Sequence, residues 1–311
     1  MKTYKEVFDI VKNEVSKVII GQDEMIEQIM IALLCNGNVL LEGYPGLAKT
    51  LAVKTVSELM DLNFSRIQST PDLMPSDITG TYIIDESKGK KEFKFQKGPL
   101  FANVVLADEI NRATPKTQSA LLEAMQEKQV TVGNQTYKLD KPFFVLATQN
   151  PIEQEGTYPL PEAQADRFLL KVKVGYPTDN EEMEIVDRFT TGIELKQIKK
   201  ILTKERLFHL QEKVLEVPIA NDLKSKAIRI VTSTRKNKDI IEFGASPRAS
   251  IGLIMASKAR ALIYGRNHVS SEDINAMALP ILRHRIILNF EAERKGLSAD
   301  DVISDLTKKV K

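Results

Sequence analysis

Residues 43–50 carry the clearest chemical pattern in the sequence, Gly-Tyr-Pro-Gly-Leu-Ala-Lys-Thr. They follow an apolar, strand-like segment at 39–42 and precede a helical pattern at 51–62. Because the first turn of a helix has free N–H groups and a positive dipole end, a loop in this position attracts anions. Lys49 could then reach phosphate oxygens, and the Thr50 hydroxyl could hold Mg²⁺. A plain glycine turn between a strand and a helix is the alternative. The residues predicted to contact phosphate are Gly43, Pro45, Gly46, Leu47, Ala48, Lys49, Thr50 and Leu51.

One position departs from the usual pattern of such loops. Ala48 stands where a glycine normally precedes the lysine. An alanine with a positive φ is strained by roughly 1 kcal/mol or more. We therefore predict a negative φ at Ala48.

Two adjacent carboxylates, Asp108 and Glu109, follow a strongly apolar segment at 104–107. Charges at the end of a buried strand need a partner or a metal, because buried charge is costly. Asp108 could hold Mg²⁺ together with Thr50, and Glu109 could deprotonate the water that attacks a γ-phosphate. The alternative is a solvated strand end that caps a helix, for which Asp is also favoured. The phosphate loop upstream favours the catalytic interpretation.

Polar residues lie beside two further apolar segments. Asn150 follows the segment 143–148 and could bond the γ-phosphate or the attacking water; a turn-forming Asn before proline is the alternative. Arg167 precedes the segment 168–174 and could reach the nucleotide of a neighbouring subunit as an arginine finger. An ion pair with Asp166, or compensation of a helix C-terminus, is the alternative for Arg167.

The pattern of elements changes near Pro177. Before it, short apolar segments alternate with helical patterns, which predicts a parallel five-stranded sheet flanked by helices. After it, apolar residues recur three and four apart, which predicts a smaller all-helical domain. The expected domains are a nucleotide-binding core at 1–177 and a helical lid at 178–311. The predicted strands are 39–42, 64–68, 104–107, 143–148 and 168–174, and the predicted lid helices are 179–189, 204–215, 222–235, 247–263 and 271–282.

The lid offers one candidate site residue and the core two insertions. Arg248 begins a helix behind Ser246 and Pro247 and could close on phosphate; a surface cation is the alternative. One insertion covers 70–99 and includes a basic stretch at 88–97, which we interpret as a solvated hairpin rather than a substrate contact. The other, at 129–139, reads as a hairpin turning at Gly133-Asn134.

Composition limits the classes of function. The 311 residues are 42% apolar and 28% charged with a net charge of +2, which gives no bulk electrostatic reason to expect nucleic acid or a membrane as partner. The single cysteine excludes an internal disulfide, and there is neither a signal-peptide core nor an apolar run of bilayer length, so we expect a cytoplasmic protein. The three histidines lack metal-ligand spacing and no Gly-x-Ser-x-Gly elbow occurs, which disfavours a metalloenzyme or a serine hydrolase.

Taken together and in this order, the motifs resemble the MoxR family of AAA+ ATPases over nearly the whole chain. The segments that carry the resemblance are 20–22 (Ile-Gly-Gln), 43–50, 106–113, 116–127, 147–151 and 160–168. Ala48 also occurs in the family's own pattern. The resemblance implies a P-loop core with a helical lid, assembled as a ring, usually a hexamer, with ATP at the subunit interfaces. It further implies chaperone-like action, on protein substrates or with von Willebrand factor A-domain partners, or in the maturation of metal cofactors.

The resemblance also implies a role for each candidate residue: Lys49 and Thr50 in Walker A, Asp108 and Glu109 in Walker B, Asn150 as sensor 1, Arg167 as the arginine finger, Arg248 as sensor 2, and Gly21 and Gln22 on the adenine side. On this basis we expect ATP and Mg²⁺ to bind between core and lid, beside residue 177. A ring-helicase type of ATPase acting on nucleic acid and a non-catalytic nucleotide switch are the competing hypotheses. The balanced charge disfavours the first, and the presence of Glu109 and Arg167 disfavours the second.

Overall fold

A computed structural model describes residues 4–85, 91–151, 157–191 and 198–310. Lys88 and Lys90 of the basic stretch lie outside these ranges. In chain order the elements are α1 (Tyr4–Val15), α2 (Asp23–Leu34), β1 (Val39–Glu42), α3 (Lys49–Leu59), β2 (Phe64–Gln68), α4 (Pro75–Thr79), β3 (Gly80–Asp85), β4 (Glu92–Lys97), β5 (Val104–Asp108), α5 (Pro115–Glu127), β6 (Gln129–Val132), β7 (Gln135–Lys138), β8 (Phe144–Gln149), α6 (Glu162–Ala165), β9 (Leu170–Lys173), α7 (Asp179–Thr190), α8 (Lys204–Glu216), α9 (Asn221–Lys236), β10 (Ile241–Phe243), α10 (Pro247–Ile263), α11 (Ser271–Leu282), β11 (Ile287–Leu288), α12 (Phe290–Arg294) and α13 (Ala299–Lys309).

The five predicted strands form one parallel sheet in the order β2-β5-β8-β1-β9. Alternate residues along each strand enter different apolar clusters: Leu41 and Leu106 face one, Leu40 and Val105 the other. Both faces of the sheet are therefore covered, which is why these strands read as continuous apolar runs. Since all strands are parallel, their carboxyl ends lie at one edge of the sheet and their amino ends at the opposite edge.

The helices after β9 pack against the first two helices of the chain. One buried cluster runs from α1, α2 and α3 through α8, α9, α10, α11 and α13. The predicted start of α10 is confirmed, because Ser246 caps it with Pro247 in the first turn. At α11, Ser270 forms a capping box with Asp273. The lid also contains an antiparallel ribbon, β10–β11, which the prediction of an all-helical lid lacked. The domain boundary near Pro177 stays a prediction.

Both insertions form hairpins, and aromatic side chains join them. In the insertion at 70–99, α4 precedes the β3–β4 hairpin; the β6–β7 hairpin turns at Gly133, whose φ is +60°, as predicted. Tyr137 of β7 stacks on Phe95 of β4 with ring centroids 4.3 Å apart, and its hydroxyl lies 2.7 Å from that of Tyr82. Beyond this stack, the apolar pair Ile84 and Phe93 is exposed. Among the described helices, none combines the length and apolar composition needed to cross a membrane.

Candidate nucleotide-binding site

The loop after β1 is shaped by two glycines and one buried leucine. A Cβ on Gly43 would come within 2.7 Å of the Val174 carbonyl oxygen, so only glycine lets the loop leave the sheet packed against the end of β9. Gly46 has a φ of +84° and open space where a side chain would be. Glycine is therefore favoured there because of the backbone conformation and not because of lack of space. Leu47 is buried and anchors the loop in the core. The loop thus presents its backbone at the start of α3.

The predicted negative φ at Ala48 is wrong: its φ is +54°. The Ala48 carbonyl already accepts the first helical hydrogen bond, from the Ala52 N–H at 2.8 Å. The turn into α3 therefore sets the backbone of residue 48, and the side chain must tolerate the left-handed conformation. Because the buried Leu47 precedes it and the helix follows it, the surrounding structure can hold this strain of roughly 1 kcal/mol.

The two polar side chains at the start of α3 already have partners within the protein. The Lys49 ammonium donates to the Gly43 carbonyl oxygen. Burial lowers the pKa of Lys49, while the carboxylates of Asp108, Glu109 and Glu42 oppose that shift. The Thr50 hydroxyl donates to Asp108 Oδ2 over 3.3 Å, so the loop after β1 and the end of β5 are in contact.

Thr148, near the end of β8, bonds the Asp108 carboxylate and the Glu109 backbone, and it was missed in the sequence. Its hydroxyl donates to Asp108 Oδ1 at 2.6 Å and accepts from the backbone N–H of Glu109 at 2.8 Å. Glu109 has a φ of +54°, an uncommon conformation for a residue other than glycine, and this hydrogen bond helps to fix it. The sequence feature that could have identified Thr148 is a single hydroxyl residue within an apolar strand.

Two arginines that the sequence analysis did not select bind the carboxylates. Arg66 on β2 donates to Asp108 Oδ2 through Nη2 at 2.5 Å and Nε at 3.1 Å. Arg112 donates through Nη1 to Glu109 Oε2 at 3.0 Å. Arg112 lies only three residues after Glu109, so local spacing could have identified it. Arg66 is brought to Asp108 by the pairing of β2 with β5, for which the sequence gives no signal.

These groups share one cavity of about 350 Å³ at the carboxyl edge of the sheet. It is lined by Pro45, Gly46, Leu47, Ala48, Lys49, Thr50, Leu51, Asp108, Glu109, Thr148 and Asn150. The oxygens of Thr50 and Asp108 are the kind of ligands that Mg²⁺ prefers. The helix start, the lysine and these hard oxygen donors together fit a polyphosphate with its divalent cation.

Gly21 and Gln22 are not among the residues that line this cavity. The Gln22 side-chain amide donates to the Gly175 carbonyl oxygen at 2.9 Å. A Cβ on Gly21, whose φ is +65°, would come within 2.6 Å of a Glu181 carboxylate oxygen. The structure therefore places Gln22 against the segment that connects β9 to α7, and Gly21 against the first turn of α7.

Arg167 and Arg248 lie at the amino edge of the sheet, away from the phosphate loop. They share a cavity of about 360 Å³. Its lining comprises Cys35, Asn36, Gly37, Asn38, Met125, Gln126, Lys128, Asp166, Arg167, Leu169, Arg248, Ile251, Gly252, Met255 and Arg285. Four residues of β1 separate the two edges, roughly 13 Å at about 3.3 Å per residue. The structure therefore does not bring Arg248 to the phosphate loop of its own chain, contrary to the expected closure of the lid on phosphate, because α10 begins against the segment before β9.

Asp166 pairs with lid residues instead of with its neighbour Arg167. Its carboxylate accepts from Arg285 Nε at 2.8 Å and from the Ser246 hydroxyl at 3.0 Å, and lies 3.8 Å from Arg248 Nη1. Arg285 is buried, with 3% of its side chain exposed, and burial lowers its pKa while Asp166 opposes that shift. Arg167 donates through Nη1 to Gln126, and its buried Nε has no partner among the described residues. The ion pair with Asp166, offered as the alternative for Arg167, is absent from the described ion pairs.

A parallel sheet in this order, with a phosphate loop after β1, paired acids at the end of β5 and a lid after β9, defines an AAA-type P-loop protein. Family models agree: residues 38–170 match the ATPase family associated with various cellular activities (AAA), and residues 234–306 match the AAA lid domain. Chaperone MoxR1 of Mycobacterium tuberculosis is 47% identical over 94% of this chain and 78% of its own length. The chain belongs to the MoxR family of AAA proteins.

Further relatives extend over almost the whole chain. The uncharacterized protein YeaC of Bacillus subtilis is 43% identical, covering 96% of this chain and 92% of its own. Protein MoxR of Methylorubrum extorquens is 28% identical over 93% of this chain and 90% of its own. A crystal structure of a candidate ATPase from Cytophaga hutchinsonii superposes with a TM-score of 0.91 at 46% identity, covering 99% of this chain and 95% of that one. The predicted core-and-lid fold is thereby confirmed.

Proposed function

We propose that this protein hydrolyses ATP with Mg²⁺, that a neighbouring copy completes each site, and that the reaction remodels a partner protein. One observation carries the hydrolytic part of the proposal. Lys49, Thr50, Asp108, Glu109 and Asn150 line a single cavity at the start of a helix. That set contains a phosphate cradle, a metal-ligand pair, a candidate base and a polar group to position water, which are the parts phosphoryl transfer needs.

Binding of the triphosphate would change the partners of the charged groups. The Lys49 ammonium would exchange the Gly43 carbonyl oxygen for phosphate oxygens, which are stronger acceptors because they are charged. Thr50 and Asp108 would hold Mg²⁺, which neutralises charge on the phosphates. Gly21 and Gln22 would lie on the adenine side, supported by their contacts with Glu181 and Gly175.

Glu109 is the proposed general base. Its carboxylate is partly exposed in the cavity and is paired with Arg112, so it must leave that partner, or share it, to accept a proton from water. Asn150, which lines the same cavity, would position the water or the γ-phosphate. The hydrogen bond from the Glu109 N–H to Thr148 holds the backbone of the base in place while its side chain moves.

Arg167 and Arg248 are proposed to act on the nucleotide of the next copy. Both lie in the cavity at the amino edge, together with the cations of Lys128 and Arg285 and the single carboxylate of Asp166. That excess of positive charge suits a polyphosphate carried by another subunit. A head-to-tail contact between the two edges would build a ring, which we propose to be a hexamer.

Support for the remodelling role comes from a relative rather than from the geometry of the cavity. A relative at 47% identity is named a chaperone. By extension we propose a protein substrate, or a protein with a von Willebrand factor A domain, as the partner. The exposed apolar pair Ile84 and Phe93 at the end of the β3–β4 hairpin is one surface where such a partner could bind. A cytoplasmic location stays a prediction.

Substitution of the proposed base tests the hydrolytic step. Glu109→Gln keeps the shape of the side chain and removes its basicity, so ATP binding measured by calorimetry should change little while phosphate release falls by about 10²–10⁴. Glu123→Gln, an exposed acid on α5, is the matched control and should hydrolyse normally. Near-normal turnover by Glu109→Gln removes Glu109 from the base role, and no nucleotide binding by the wild type refutes the whole proposal.

Substitution of the finger tests the contribution from a second copy. Arg167→Ala should leave nucleotide binding intact and lower turnover by about 10³–10⁵, the loss associated with such residues. Mixing it with a Lys49→Ala variant should restore part of the rate, because each variant supplies what the other lacks. Light scattering with and without ATP gives the size of the assembly. Failure of the mixture to exceed the sum of its parts contradicts action between copies.

A further inference from the structure

Arg66 binds the oxygen of Asp108 that faces the proposed metal position. The other oxygen, Oδ1, is taken by the Thr148 hydroxyl at 2.6 Å. Oδ2 receives Arg66 Nη2 at 2.5 Å and Nε at 3.1 Å, and Thr50 Oγ1 approaches the same oxygen at 3.3 Å. Arg66 therefore occupies the one side of the Asp108 carboxylate that is shared with Thr50, the other proposed metal ligand.

The sheet and a neighbouring amide aim the guanidinium at this oxygen. In the pairing of β2 with β5, Gln68 lies opposite Asp108 and Arg66 lies two residues earlier. Residues two apart on a strand share a face, so Arg66 and Gln68 point the same way. Gln68 Oε1 accepts from Arg66 Nη2 at 2.6 Å, which fixes the plane of the guanidinium.

The exposed fractions of the Asp108 and Arg66 side chains differ, and the difference would allow a metal ion to replace Arg66 at Asp108. The Asp108 side chain is 11% exposed and needs a cation nearby, whereas the Arg66 side chain is 48% exposed and can turn into solvent. A guanidinium and a divalent ion would repel each other at one carboxylate oxygen. The two cations therefore compete for Asp108 Oδ2.

We propose that Arg66 is a positioning residue that occupies the place of the metal at Asp108 and yields it to Mg²⁺ when nucleotide binds. It keeps the carboxylate ordered and aimed at Thr50 before nucleotide binds. It also lowers the affinity for free metal, so that the metal binds together with nucleotide rather than alone. This inference rests on the proposed function, because it assumes that Thr50 and Asp108 hold the metal.

Metal binding in the presence of ADP, rather than hydrolysis, tests the competition. Mn²⁺, which can be counted by paramagnetic resonance, serves as the probe, and full-length Arg66→Gln is compared with the wild type. We expect the variant to bind Mn²⁺ about tenfold more tightly, the ratio that a charge-assisted contact in a half-exposed position provides. Arg66→Lys, which keeps the charge but loses the two-pronged contact, should lie between the two.

A matched control separates competition from bulk charge. Lys54→Gln removes one positive charge from α3, where Lys54 lies 3.8 Å from Glu58 and is 58% exposed, and it should leave Mn²⁺ affinity unchanged. Unchanged or weaker Mn²⁺ binding by Arg66→Gln overturns the inference. So does an equal loss of ADP affinity with and without metal, which would make Arg66 a phosphate contact. If the wild type binds no ADP with Mn²⁺, the proposed function fails instead.

Discussion

The pair of Asp166 and Arg285 joins the core to the lid, and its strength can be worked from the structure. Arg285 is 3% exposed and Asp166 is 19% exposed, and Asp166 is the one carboxylate that the described ion pairs give to Arg285. At about 4 Å and an effective dielectric constant near 20, such a pair attracts by about 4 kcal/mol. Backbone carbonyl oxygens, including that of Leu169, also accept from Arg285 and remain after the change. We therefore expect Asp166→Asn to cost about 3 kcal/mol of unfolding free energy, close to the range for breaking a buried pair.

Urea unfolding followed by far-ultraviolet circular dichroism measures this cost, since the sequence has no tryptophan to report by fluorescence. The control is Asp61→Asn, which breaks an ion pair with Lys200 whose side chains are 54% and 67% exposed. Asp61 has a φ of +50°, a conformation that asparagine tolerates, so the backbone is not disturbed. A surface pair of this kind should cost at most about 1 kcal/mol.

A second substitution distinguishes an unpaired buried charge from a general packing defect. Asp166→Asn combined with Arg285→Met removes both charges and leaves an apolar side chain of similar length. Because the large cost arises from stranding the guanidinium, the double variant should regain about half of the lost free energy or more. The reasoning is refuted if Asp166→Asn lowers the unfolding free energy no more than Asp61→Asn does. It is also refuted if the free-energy costs of the substitutions at 166 and 285 are additive.

Three further predictions concern single residues. Ala48→Gly relieves the left-handed strain and should stabilise the protein by about 0.5 kcal/mol, whereas Ala120→Gly within α5 should cost about 1 kcal/mol in the same urea assay. Burial lowers the pKa of Lys128 to about 8, so the folded protein releases a proton that the unfolded chain keeps up to the ordinary lysine pKa of 10.5. The free-energy cost of the buried charge is therefore complete below pH 8 and disappears by pH 10.5. In urea titrations, the stability of the wild type relative to Lys128→Met should increase by up to about 3 kcal/mol between pH 7 and pH 10. Thr148→Val removes the hydroxyl between Asp108 and Glu109 and should cost about 1–3 kcal/mol in stability, with weaker metal-dependent nucleotide binding by calorimetry; unchanged values in either assay contradict the role given to Thr148.

Local patterns in the sequence were sufficient to locate the loop at 43–50 and the paired acids at strand ends that border one cavity. Residues 43–50 begin directly after β1, Asp108 ends β5 and Glu109 follows it, so each strand fixes where these side chains emerge. The sheet was predictable for a related reason: strands covered on both faces are apolar throughout. The bounds of β1 and β2 agree with the prediction, and those of β5, β8 and β9 differ by one or two residues at their ends.

Features that depend on distant contacts were not predictable. Arg66 and Thr148 reach Asp108 only because β2 and β8 flank β5 in the sheet, an order that no local pattern encodes. The position of Arg248 depends on how the lid packs, which involves contacts such as that of Asp166 with Arg285 across 119 residues of sequence separation. The φ of Ala48 is imposed by the turn into α3 against the preference of the residue itself.

The placement of the phosphate loop and the arginine cavity at opposite edges of the sheet has an arithmetic consequence. If the arginine edge of one copy meets the phosphate edge of the next, an open row of n copies completes only n − 1 catalytic centres and leaves one unused surface at each end. Closing the row adds the last centre without adding a molecule. Specific activity should then rise from half its maximum in a pair toward a plateau that is reached only by closed assemblies.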